Sequence, residues 1–86
     1  MDRSTLKIRD NIIKKFNLKV KEKWETASHI DNSYHAYCTF IVGDTEYCFS
    51  IGAYTYVLTR NLDFLYQGFD KNDLIKVIAQ VVEKGE

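Results

Sequence analysis

Apolar residues recur at helical spacing at both ends of this chain and at every second position in between. From Ser4 to about Phe16, Leu6, Ile8, Ile12, Ile13 and Phe16 fall within an arc of roughly 160° when plotted at 100° per residue, which predicts an amphipathic helix. Ser4 can serve as its N-cap. Lys7, Asn11, Lys14 and Lys15 occupy the opposite, basic arc, while Arg9 falls among the apolar positions and is expected to snorkel at their edge.

From Leu18 the period changes to two. Leu18, Val20, Glu22 and Trp24 alternate with Lys19, Lys21, Lys23 and Glu25, predicting a strand that carries a ladder of lysines on one side. The cluster Asp31, Asn32 and Ser33 reads as a turn, with His29 just before it. Beyond it Tyr34, Ala36, Cys38, Phe40 and Val42 alternate with His35, Tyr37, Thr39 and Ile41. Gly43-Asp44 suits a two-residue hairpin loop in which glycine takes the positive φ of a type II′ turn, and Thr45, Tyr47, Phe49 and Ile51 resume the alternation. This loop sets Val42 opposite Thr45, Phe40 opposite Tyr47 and Cys38 opposite Phe49, gathering the apolar side chains on one face. Cys48 then lies opposite Thr39 on the other face, so Cys38 and Cys48 cannot bond.

The segment from Ala53 to Gln67 carries two patterns. Ala53, Val57, Leu58, Asn61, Leu62 and Leu65 repeat at helical spacing, and Gly68 can close a helix in the left-handed conformation with Phe69 touching Phe64. A helix is the reading adopted; the β-favouring run Tyr54-Thr55-Tyr56-Val57 leaves a fourth strand over 54–58 as the alternative. The last segment has Asp70 as N-cap, a staple of Phe69 on Leu74, and Leu74, Ile75, Val77, Ile78, Val81 and Val82 on one arc before Gly85. The expected fold is therefore a single α+β domain over 1–86. Its expected order is a helix, a three-stranded antiparallel sheet and two helices, with the helices on the Tyr47/Phe49 face of the sheet.

Composition narrows the function classes. In 86 residues with 45% apolar content and no proline, one self-sufficient core is expected. No stretch reaches the ~18 apolar residues of a membrane span, and Met1-Asp2-Arg3-Ser4 does not open a signal peptide, so a cytoplasmic protein without membrane association is expected. The two cysteines form neither a disulfide framework nor a zinc site and are read as reduced thiols. Although net charge is zero, residues 1–25 hold eight basic against four acidic residues, a dipolar arrangement able to steer a charged partner.

Phosphate-binding loops, dinucleotide fingerprints, nucleophile elbows and zinc-protease spacing are all missing from the sequence, so no cofactor and no enzymatic activity are expected. A nucleophilic Cys48 would need His35 as its base, but the register displaces His35 along the strands. His29 and His35 lack metal-ligand spacing. Asp70 and Asp73 share a helical turn, yet capping and the helix dipole account for both.

Two surfaces remain. The outer sheet face would leave His35, Tyr37, Thr39, Ile41, Cys48 and Ser50 uncovered, and the tyrosine count is six, of which Tyr37, Tyr54, Tyr56 and Tyr66 are not obvious core residues. His35, Tyr37, Ile41, Tyr54, Tyr56 and Tyr66 are thus the candidate partner-binding residues, for a larger protein or for a second copy of the chain. Lys14, Lys15, Lys19, Lys21 and Lys23 form the alternative, a phosphate-tracking stripe for nucleic acid, although lysines on an edge strand also guard against aggregation. The expected element order resembles that of double-stranded-RNA-binding domains, but the lysine cluster that opens their final helix is here Asp70-Lys71-Asn72-Asp73, which repels phosphate. In element order alone, the chain is also similar to small phage-encoded inhibitors of CRISPR nucleases. That similarity implies a small inhibitor from a phage or mobile element, and the expected function is a non-enzymatic protein-binding module.

Overall fold

A computed structural model describes residues 2–28 and 32–84; His29, Asp31 and Gly85 lie outside the described residues. Helix α1 (Ser4–Phe16) is followed by strands β1 (Lys19–Ser28), β2 (Ser33–Val42), β3 (Thr45–Ile51), β4 (Tyr56–Arg60) and β5 (Asp63–Gly68), and by helix α2 (Lys71–Lys84). The strands form one five-stranded antiparallel meander in sequence order.

This corrects the expected three-stranded sheet followed by two helices. Residues 53–67, read as a helix, instead complete a second hairpin. Its turn is Asn61-Leu62, both with positive φ (49° and 74°), and Arg60 pairs with Asp63 across it. Positive φ at both central residues is the type I′ geometry that matches strand twist, and it interrupts any helix. Tyr56 and Val57 then follow their β preference, and the helical spacing of Val57, Leu58, Leu62 and Leu65 is coincidental. With the element order changed, the resemblance to RNA-binding domains and to phage-encoded inhibitors lapses.

Leucine in the left-handed region costs roughly 1–2 kcal/mol, and Leu62, at 92% exposure, gains no packing in return. Leu62→Gly should therefore raise stability by about 1 kcal/mol in a urea titration. An unchanged or lowered midpoint would show that Leu62 does not bear the strain of the turn.

Where two-residue patterning was unambiguous, expectation and structure agree. Gly43 has φ 62°, and the β2–β3 register joins Val42 to Thr45, Phe40 to Tyr47, Cys38 to Phe49 and Thr39 to Cys48. Both cysteines are free. In α2, Leu74 and Ile78 are fully buried while Ile75, Val77, Val81 and Val82 pack at the core margin. Asp70 caps this helix, its carboxylate accepting the Asn72 backbone N–H at 2.8 Å.

Several end signals resolve differently. Ser4 is the first helical residue rather than the cap, and the Asp2 carboxylate accepts its N–H at 2.9 Å. Phe69 is 84% exposed, so it closes neither the staple on Leu74 nor the contact with Phe64. Gly68 ends β5 without a positive φ: a Cβ there would lie 2.5 Å from the Tyr66 hydroxyl, which folds back over the glycine to bond Asp70.

Both helices cover the same face of the sheet, α1 lying over β2 and β3 and α2 over β4 and β5. Between these layers sit Leu6, Ile12, Ala36, Cys38, Phe40, Phe49, Ile51, Leu58, Leu74 and Ile78. Burying each large side chain contributes roughly 1.5–3 kcal/mol. Arg9 does not snorkel: it is 5% exposed, and donates to the Asp10 carboxylate at 3.0 Å, the Glu25 carboxylate at 3.1 Å and the Trp24 carbonyl at 3.0 Å. Burial would lower its pKa, but the carboxylate hydrogen bonds outweigh burial and raise it. This side chain clips β1 to α1. Arg9→Ala should cost about 2 kcal/mol in a denaturant titration, whereas Arg9→Met should cost less than half of that. The Asp10 and Glu25 side chains, 49% and 42% exposed, would remain hydrated in either variant. Equal losses would show that the hydrogen bonds rather than the aliphatic stem dominate.

Candidate functional site

Helices on one face leave the other face of the sheet open, and the strand registers determine which side chains reach it. A bulge between Val20 and Glu22 is decisive. Val20 pairs with Phe40 on the helix side, but beyond the bulge Glu22 pairs with Thr39 and Trp24 with Tyr37 on the open side, so the alternation expected from Leu18 onwards breaks. Trp24 thus turns outward and its ring stacks on Tyr37, with centroids 5.1 Å apart and planes 5° from parallel.

Two rows cross the open face. Trp24, Tyr37, Ser50, Val57 and Gln67 form one through successive register partners; Glu22, Thr39, Cys48, Thr59 and Phe64 form the other. Thr39 at its centre is only 8% exposed, covered by its neighbours within the sheet, and Phe64 at the edge is 66% exposed. Ile41 lies beyond the second row, half-buried, between Lys19 and Glu46. His35 lies at the other end beside Gly52, where a Cβ would come within 3.4 Å of its ring.

Of the six candidate binding residues, the fold brings His35, Tyr37 and Ile41 onto this face and separates the others. Tyr54 is 77% exposed in the β3–β4 connection. Tyr56 pairs with Ile51 and Tyr66 with Leu58, which places both on the helix side. Trp24, Val57 and Phe64 are open-face residues that the sequence reading missed. The β-favouring run through Val57 was a signal for one of them; the bulge that exposes Trp24 left no mark in a segment charged on both sides.

The lysine stripe is dispersed by the same bulge. Lys19 points to the open face with Ile41, Lys21 sits in the bulge and binds the Glu46 carboxylate at 2.6 Å, and Lys23 falls on the helix side with Asp10 at 3.6 Å. Lys14 and Lys15 occupy the last turn of α1, where they complement the helix dipole. These five residues share no continuous track.

No family model, curated protein or solved structure matches the chain.

Neither thiol is primed for nucleophilic chemistry. Burial is the main cause that pushes Cys38 from an ordinary value of 9.0 up to about 11, with the nearby Cys48 adding to it. Burial also raises Cys48, against an opposing hydrogen bond with Thr39. His35 lies four positions from Thr39 along β2, so it does not meet Cys48. Among the described residues no acidic, histidine and cysteine side chains cluster as metal ligands, and no helix is long and apolar enough to cross a membrane.

Proposed function

We propose that this chain is a small protein-binding module that works without chemistry of its own and engages a larger protein through the open face of its sheet. One observation carries the reading: the Trp24–Tyr37 stack, with Val57, Ile41 and Phe64 along the same face, lies opposite both helices and under no other described element. Rigid, half-buried aromatic rings lose little side-chain entropy when a partner covers them, and tryptophan and tyrosine are the residues that most often dominate binding energy. Charged residues Glu22, Lys19, Lys21 and Glu46 gather at one end of this face, where they would set the orientation of a partner.

Tyr37→Ser combined with Ile41→Ser should leave the far-ultraviolet circular dichroism and the unfolding transition near those of the parent while abolishing partner capture. Both side chains face away from the helix-side core, so folding and binding are separable at these positions. Retained capture by a folded double variant would remove the open face from the account.

A further inference from the structure

On the helix side of the sheet, a cleft of about 280 Å³ lies between β3, β4, β5 and the C-terminal half of α2. Its floor is Leu65, Val77 and Val81; its polar groups are Tyr47, Arg60, Gln80 and Lys84. Register and helical period assemble it. Tyr47 and Arg60 are direct partners across β3 and β4, and Val77, Gln80, Val81 and Lys84 follow the i, i+3, i+4, i+7 spacing of one helix face.

Three donor groups of the cleft have no partner among the described residues. Tyr47 is 5% exposed, with its ring stacked on Phe40 at 5.4 Å, yet its hydroxyl has no hydrogen-bond partner among the described residues. Because no buried side-chain polar atom among the described residues lacks a partner, that hydroxyl is not sealed in the core but opens onto the cleft. Arg60 and Lys84 are also unpaired: every ion pair among the described residues uses Arg9, Lys21 or Lys23. Asp63, the partner of Arg60 across the β4–β5 turn, makes no ion pair with it.

We propose that this cleft is a binding site for a small organic oxyanion, a carboxylate or phosphate monoester carried on an apolar body. The phenolic O–H and the Gln80 amide donate to the anionic head, and Arg60 and Lys84 supply the countercharge. The aliphatic floor takes the body of the ligand. Its volume falls just below the roughly 300–1,000 Å³ typical of ligand sites, which restricts it to small molecules. The site lies on the opposite side of the sheet from the surface proposed to bind protein, and neither depends on the other.

The test is a titration of the full chain, followed by two-dimensional NMR, with phenylacetate, phenyl phosphate and the neutral phenylacetamide. Saturable shifts are expected at Arg60, Val77 and Val81 with at least one of the anions, weakening as salt is raised, and none with the amide. Which anion binds more tightly distinguishes the carboxylate from the phosphate form. Tyr47→Phe retains the ring and should weaken the bound anion about tenfold or more, as should Arg60→Gln with Lys84→Gln, whose exposed positions leave the core intact. The proposal is overturned by the lack of saturable shifts with both anions, by equal binding of the amide, or by unchanged affinity in the Arg60/Lys84 variant.

Discussion

Phe40→Ala should remove about 3–5 kcal/mol of stability and bring the domain to the edge of unfolding. Phe40 is fully buried, stacked on Tyr47 at 5.4 Å and meeting Phe49 edge-on at 6.0 Å. It sits on the strand beneath α1, so its removal leaves a cavity that rigid neighbouring rings cannot fill. A chain of 86 residues is expected near the low end of the usual 5–15 kcal/mol, and little would remain. Guanidinium titration checks this directly, with Tyr54→Ala as the comparison. Tyr54 is 77% exposed, and its loss should change stability by no more than about 0.5 kcal/mol. Similar midpoints for the two variants would contradict the core described above.

Alkaline pH should destabilise the fold through Cys38. Burial raises this thiol from 9.0 to about 11 in the folded chain, while in the unfolded chain it titrates at its ordinary value. Below pH 9 both states hold the proton and the contribution is fully present. Between 9 and 11 only the unfolded state ionises, so stability falls by about 1.4 kcal/mol per pH unit, or about 3 kcal/mol in all. Above 11 both states are ionised and the loss is complete. The measurement is a comparison, denaturant titrations at pH 8 and pH 11 for the parent and for Cys38→Ala, so that every group common to the two chains cancels. The alanine variant should lose about 2 kcal/mol less than the parent, since at pH 11 the folded thiol is only half ionised. Parallel losses would show that the Cys38 thiol does not resist ionisation in the core.

The β2–β3 hairpin and α2 were legible because several signals coincide there. Gly43-Asp44 fixes one register, and that register alone collects Phe40, Tyr47, Cys38 and Phe49 on one face. In α2 the Asp70 cap and the apolar arc point to the same helix. Residues 53–67 were misread because Val57, Leu58, Leu62 and Leu65 satisfy helical spacing, while Val57, Leu58 and Leu65 lie in two paired strands and Leu62 in the turn between them. The deciding feature is a turn at Asn61-Leu62, and leucine gives no sign of adopting positive φ. The open face itself was legible from the β2 alternation, which placed His35, Tyr37 and Ile41 correctly. Its edges were not. Lys19 to Glu25 is nearly all charged, so nothing in it distinguishes a regular strand from one whose bulge at Lys21 sends Lys23 to the helix side and Trp24 to the open side. The cleft at Tyr47 was equally hidden, because Arg60 and Leu65 reach it only through strands that the helical reading had removed.

The measurement that bears most directly on the open sheet face is affinity capture from the native host's lysate, with the parent chain and the Tyr37→Ser/Ile41→Ser variant side by side. Each is run with and without nuclease and at two salt concentrations, with mass spectrometry of what is retained. A stoichiometric protein partner that survives nuclease should be held by the parent but not by the folded variant. Retention of the same partner by the variant, or loss of every partner on nuclease treatment, would contradict it.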